Sequence, residues 1–119
     1  MTLVDTSVWI DHFRNKNKKL IVLLEENKVL THSFIIGELA CGNIKNRNEI
    51  LNLLKTLPFA NEPTNEEVLV FIEKRNLYGK GLGFIDIHIL SSALLNNSNL
   101  YTLDKKLQKE WLKITDFKS

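Results

Sequence analysis

Thr2-Leu3-Val4-Asp5, followed at once by Thr6-Ser7-Val8-Trp9-Ile10-Asp11-His12-Phe13, opens the chain and sets its architecture. A short apolar run ends on an acid, and from Ser7 to Phe13 the apolar residues fall at helical spacing, so the stretch reads as strand, turn, helix. The same device returns near the end of the chain. Leu100-Tyr101-Thr102-Leu103-Asp104 is again an apolar run closing on an acid, and a helical stretch, Lys105 to Trp111, follows it. Between them, Leu20, Leu23 and Leu24 predict a helix within Lys16 to Glu26, and Val29-Leu30-Thr31 predicts a second strand after the Asn27-Lys28 break. Ser33 is the expected cap of a helix from Phe34 to Cys41 that stops near Gly42-Asn43, and Arg47 to Lys55 resumes with Ile50, Leu51 and Leu54 on one face. Leu57 to Ala60 is a weaker strand candidate. Thr64 and Glu67 form a capping box for a helix reaching Leu77. Gly79-Lys80-Gly81-Leu82-Gly83 interrupts, Phe84 to Leu95 forms an apolar helix, and Leu112 to Thr115 is the last strand candidate.

Strands alternating with helices predict an α/β domain with a short, mainly parallel sheet flanked by helices on both faces. Ligands of such sheets bind outside the carboxyl ends of the strands. Asp5 and Asp104 both end strands there, and if those strands are neighbours the two carboxylates share one crevice.

The 119 residues, 44% hydrophobic with one cysteine, fit a single domain spanning 1–119. A domain of this size buries roughly two-thirds of its unfolded surface and needs no structural metal, so a bound metal would serve chemistry. Lone Cys41 excludes an intramolecular disulfide framework and a cysteine-based zinc site, suits a reducing cytoplasm, and is expected in the core. The longest apolar runs, such as Leu20 to Leu24, fall far short of the roughly 18 to 20 residues that span a bilayer. Asp5 and Asp11 interrupt the place where a signal peptide would need an uncharged stretch. The expected setting is cytoplasmic, without membrane contact.

Most acids here have an ordinary explanation, so the informative ones are those sitting where a charge should not. Glu38 shares its helical face with Ile35, Leu39 and Gly42; Asp86 shares its face with Ile89, Leu90 and Ala93. An ionised carboxylate on an apolar face must be paired, be protonated, or bind a cation. Asp11, beside Ser7, Arg14 and Asn15, instead reads as solvated with a local ion pair to Arg14. Asp5, Glu38, Asp86 and Asp104 therefore stand apart. Clustered, they would repel one another, and a hard cation such as Mg²⁺ or Mn²⁺ relieves that repulsion while keeping waters and room for a substrate phosphate. Hydrolysis of a phosphodiester is the chemistry that follows. With those four set aside, ten acids remain against sixteen Lys and Arg. The overall +2 thus conceals an acidic pocket in a basic body, the distribution suited to a polyanionic substrate.

Leu3 to Asp11, Ile36-Gly37-Glu38-Leu39, Gly83 to Ala93 and Leu100 to Asp104 together resemble the PIN-domain ribonucleases, and among them the VapC-type toxins of toxin–antitoxin pairs. The motifs run through nearly the whole chain in the family's order. The resemblance implies a PIN-like fold and an endoribonuclease that uses Mg²⁺ or Mn²⁺ on structured RNA, with tRNA or rRNA the expected target. It implies that Asp5, Glu38, Asp86 and Asp104 form the catalytic pocket, with Asp5 and Asp86 as direct metal ligands and Glu38 and Asp104 acting through waters. Thr6, Ser7 and Thr102 would orient carboxylates or water. A homodimer and a VapB-like antitoxin are the expected partners. The chain is short for this family, which suggests a missing edge strand or a terse C-terminus.

Lys105 and Lys106, directly after Asp104, are the expected phosphate contacts. His88 is expected on the substrate side or in a structural role, and His12 and His32 at the surface or in loops. Trp9 reads as core. Gly79, Gly81 and Gly83 read as a break that brings the Asp86 helix to the site. Two other readings stand beside this one. A phosphoacceptor receiver domain shares the length and an acidic Mg²⁺ pocket, but wants paired acids after the first strand and a lysine after the last. A catalytically inactive PIN-like binding module would keep the fold without cleavage.

Overall fold

The computed structural model describes residues 1–118. At its centre lies β1 (Thr2–Val4), paired in parallel with β2 (Val29–Leu30) on one side and β3 (Asn99–Tyr101) on the other. The register sets Leu3 opposite both Leu30 and Leu100. Successive strand residues point to opposite faces, and Leu3 and Val4 are both 0% exposed, so helices cover the sheet on both sides. Parallel strands cannot be joined by tight hairpins, which is why every connection here is helical.

Two helices, α1 (Thr6–Asn15) and α2 (Lys18–Glu25), carry the chain from β1 to β2. Asn17 separates them, its side chain accepting the Leu20 amide at 2.9 Å and so capping α2. After β2 come α3 (Ser33–Cys41) and α4 (Arg47–Leu54), then α5 (Asn65–Arg75), α6 (Phe84–Leu95), β3 and α7 (Lys105–Lys118). The expected capping box is present at α5: Thr64 Oγ1 accepts the Glu67 amide at 3.1 Å, and Glu67 accepts the Thr64 amide at 2.9 Å. Helix α6 is apolar on every side, with Ile87, Ile89, Leu90 and Ala93 buried among β3, α5 and α7. Such a helix is an interior element, and truncating Leu90 to alanine would cost about 2 to 5 kcal/mol. Asp86 sits in its first turn.

Several expectations change. Leu112 to Thr115 is not a strand, because Leu107, Trp111 and Ile114 keep one buried helical face and α7 runs on to Lys118. The last strand candidate, after which the receiver alternative wants a lysine, is therefore helix. Leu57 to Ala60 forms only a single parallel bridge, Phe59 to Thr31, with Thr31 N donating to Pro58 O and Ala60 N to Thr31 O, each at 2.8 Å. Helix α3 is capped by His32, whose Nδ1 accepts the Phe34 amide at 3.0 Å, while Ser33 lies inside the helix and donates to Glu62. Cys41 is exposed at the end of α3, outside the core. Asp11 meets Asn15 and Asn17 instead of Arg14.

Candidate active site

Asp5 leaves the end of β1, its amide bonded to Tyr101 O at 2.9 Å, so the β1 and β3 termini lie side by side. Its carboxylate is 6% exposed and takes two hydroxyl bonds on one oxygen: Thr102 Oγ1 donates to Oδ2 at 2.8 Å and Ser7 Oγ donates to it at 2.9 Å. A hydroxyl has one proton, and the carboxylate only accepts. Those protons are held in place from behind, since Thr102 Oγ1 accepts the Asp104 amide at 3.0 Å and Ser7 Oγ accepts the Leu103 amide at 3.0 Å. The two strand-end loops are thus laced through Asp5.

Asp104 caps α7, with Oδ1 accepting the Lys106 and Leu107 amides at 2.9 and 3.2 Å. Asp86 reaches back from α6 to the Gly83 amide, 3.1 Å from Oδ2. Burial raises the Asp86 carboxyl above its ordinary pKa. The Gly83 bond opposes that rise, and the charges of Asp104 and Asp5 add to it. Asp104 and Asp5 thus lie close enough for their charges to bear on Asp86. Glu38 reaches the group differently. It is exposed, contrary to the expected core-facing position, because Ile35 and Leu39 point inward and leave it at the edge of their stripe. Thr6 Oγ1 donates to Glu38 Oε1 at 2.8 Å, tying α3 to the residue after Asp5.

In all four acids one oxygen is held by the protein while the other has no hydrogen-bond partner among the described residues. That leaves four oxygens for a hard cation or its waters. Among the described residues no group of three or more acids, histidines or cysteines is placed so that it could hold a metal ion. Mg²⁺ does not require one, because it takes one or two carboxylates and keeps most of its waters. Carboxylate oxygen is the donor type that such an ion takes.

His88 lies elsewhere than on a substrate-facing surface. It is 2% exposed, its ring 4.5 Å from that of Phe34 and 5.4 Å from that of His32, and it serves packing. His32 is likewise interior, not a loop residue at the surface. Because its Nδ1 accepts, its proton sits on Nε2, facing Ser92 Oγ at 2.9 Å, and Ser92 donates to His88 O at 2.7 Å. Burial, with the nearby His88 acting in the same sense, lowers the His32 pKa to about 4 against the opposing pull of Glu62. The ring is neutral near pH 7, and its 3.8 Å approach to Glu62 is a polar contact.

Lys105 and Lys106 are exposed at the start of α7, and the Lys106 side chain lies across Gly81. The sequence reading missed Glu110, 6% exposed and paired with Lys80 and Lys113 at 3.5 and 3.4 Å. A signal for it existed: Glu110 shares its helical face with Leu107, Trp111 and Ile114, the same anomaly that marked Asp86.

A family model described as PIN domain matches residues 2–110. Ribonuclease VapC32, from two strains of Mycobacterium tuberculosis, is 43% identical over 109 residues, covering 91% of this chain and 88% of that protein. The crystal structure of PAE2754 from Pyrobaculum aerophilum superposes with a TM-score of 0.61 at 16% identity, over 97% of this chain and 95% of the other, a likeness of fold.

Proposed function

The chain belongs to the PIN-domain family, and on that premise we propose that it is a VapC-type endoribonuclease, the toxin of a toxin–antitoxin pair. Its expected reaction is hydrolysis of phosphodiester bonds in structured RNA, tRNA or rRNA, with Mg²⁺ or Mn²⁺ as cofactor. The observation that carries this reading is the common state of Asp5, Glu38, Asp86 and Asp104, each with one oxygen anchored and one left open. Asp5 and Asp86 are the proposed direct ligands; Glu38 and Asp104 act through waters. A bound divalent ion would polarise a phosphoryl oxygen and make a bound water acidic enough to attack phosphorus.

The chain's own residues prepare that step. Ser7 and Thr102 fix the Asp5 carboxylate so that its open oxygen is presented in one direction. Asp86, crowded by two other acids, gains from any cation that relieves the repulsion. Thr6 holds Glu38 at the rim of a depression lined by Ile10, Phe13, Arg14 and Ile44. A VapB-like antitoxin and a second copy of the chain are the proposed protein partners. Among the described residues no helix is long and apolar enough to cross a membrane.

Purified protein incubated with total cellular RNA should produce discrete new ends with Mg²⁺ or Mn²⁺ and none in excess EDTA. Asp5→Asn and Asp86→Asn should abolish cleavage while circular dichroism stays native. Full activity in EDTA, or in both variants, refutes the proposal.

A further inference from the structure

Four lysines converge on one face of the molecule, against their own repulsion. Lys106, Lys109 and Lys113 follow one another at three- and four-residue spacing along α7, and Lys80 joins them from the loop between α5 and α6. Together with Glu110 they line a depression of about 370 Å³. Among the described residues Glu110 is the only carboxylate lining it, and it is buried beneath the lysines, where it pins Lys80 and Lys113. The side chains of Lys106 and Lys109 form no ion pair among the described residues. One acid against four bases leaves the depression with a formal charge of +3.

The loop beneath this patch connects it to the acids. Gly81 has φ +79°, and a β-carbon there would stand 2.9 Å from Lys106 Nζ, so the missing side chain is what allows Lys106 to lie across the loop. Two residues on, Gly83 N bonds Asp86. At the other end of the patch, Lys106 gives its amide to Asp104 while its side chain points to the lysines. The same two segments, 79–83 and 104–106, hold the acids on one side and the lysines on the other.

We propose that Lys80, Lys106, Lys109 and Lys113 form a phosphate-binding track for the RNA strand as it leaves the acidic crevice, with Glu110 as the buried anchor that holds the lysines together. The proposal rests on the nuclease reading above and adds where the strand runs. Lys106 to Lys113 covers about 10 Å of helix, roughly three stacked nucleotide steps. Lysine contacts of this kind set register without reading sequence, so the track would serve RNA of any sequence next to the cut.

The test is binding of a fluorescein-labelled single-stranded RNA oligonucleotide by anisotropy in EDTA, where cleavage is silent, across a series of salt concentrations. Each phosphate contact on a single strand contributes about 0.7 to the slope of log affinity against log salt. Lys106→Gln with Lys109→Gln should lower that slope by about 1.4. Between 50 and 200 mM salt, the wild type should therefore lose about sevenfold more affinity than the double variant. Lys106→Arg with Lys109→Arg should restore the slope, which a mere folding defect would not allow. Lys55→Gln, which removes one charge outside the patch, should leave it unchanged. An unaltered slope in the double glutamine variant, or an equal fall in Lys55→Gln, overturns the proposal. A protein that cleaves RNA with a patch-independent slope loses only the track. One with a patch-dependent slope that cleaves nothing in Mg²⁺ loses the nuclease reading and keeps the track.

Discussion

Replacing Thr102 by valine keeps the shape of the side chain and deletes its hydroxyl. Thr102 is 4% exposed, so the loss is not made good by bulk water. The hydroxyl donates to the Asp5 carboxylate at 2.8 Å, a bond to a charged group worth about 1.5 to 3 kcal/mol. It also accepts the Asp104 amide, which becomes free to seek water because Asp104 is only half-buried. A destabilisation of about 2 to 3 kcal/mol follows, a substantial part of the roughly 5 to 15 kcal/mol that holds a domain together. Urea unfolding in EDTA measures this part without any metal contribution. The second effect is on the cation. Ser7 alone would then orient Asp5, and losing an outer partner of a metal-binding carboxylate typically weakens metal affinity by about 10- to 100-fold. Calorimetric titration with Mn²⁺ and the Mn²⁺ dependence of RNA cleavage should both shift by that factor, and Thr102→Ser should restore both. If Thr102→Val folds and its Mn²⁺ dependence matches the wild type, the Ser7–Thr102 pair does not orient a metal ligand and the reasoning fails.

Asp86→Asn should make the metal-free protein more stable even as it stops cleavage. The amide oxygen still accepts Gly83 N, while the half-buried charge and its repulsion by Asp104 and Asp5 disappear; a variant less stable than the wild type in EDTA would count against three acids sharing one crevice. Acid should destabilise the fold through His32. Its folded pKa of about 4 lies below the 6.5 of an unfolded histidine, so the unfolded chain binds the proton first: this contribution is whole above pH 6.5, falls as pH drops, and is spent below pH 4. The full span is worth about 3 kcal/mol. His32→Asn, which can still accept the Phe34 amide, should give a flatter stability curve between those pH values, and parallel curves would show that His32 does not carry the effect.

Local pattern made most of the elements legible. The α5 capping box and the bounds of α6 follow from residues within one or two turns of each other, where the physics is short-ranged. The terminal strand failed for a related reason: Ile114 and Thr115 suit a strand, but the buried face begun by Leu107 and Trp111 continues through them, and packing outweighs intrinsic preference. From the sequence His32 reads as a surface or loop residue and His88 as substrate-side or structural. Their burial beside each other depends on α3 meeting α6, a contact that no local window contains.

The sequence by itself determined the alternation of strands and helices, and it singled out four acids, because charge at a strand end or on an apolar stripe is a local anomaly. Tertiary structure alone decided what those acids meet. Pairing β3 beside β1 brings residues 97 positions apart within 2.8 Å, so that Thr102 holds Asp5, and the packing of α6 sets Asp86 where Asp5 and Asp104 repel it. Spacing along a chain fixes which face a side chain occupies. Which oxygens remain open for a ligand depends on partners that only long-range pairing supplies.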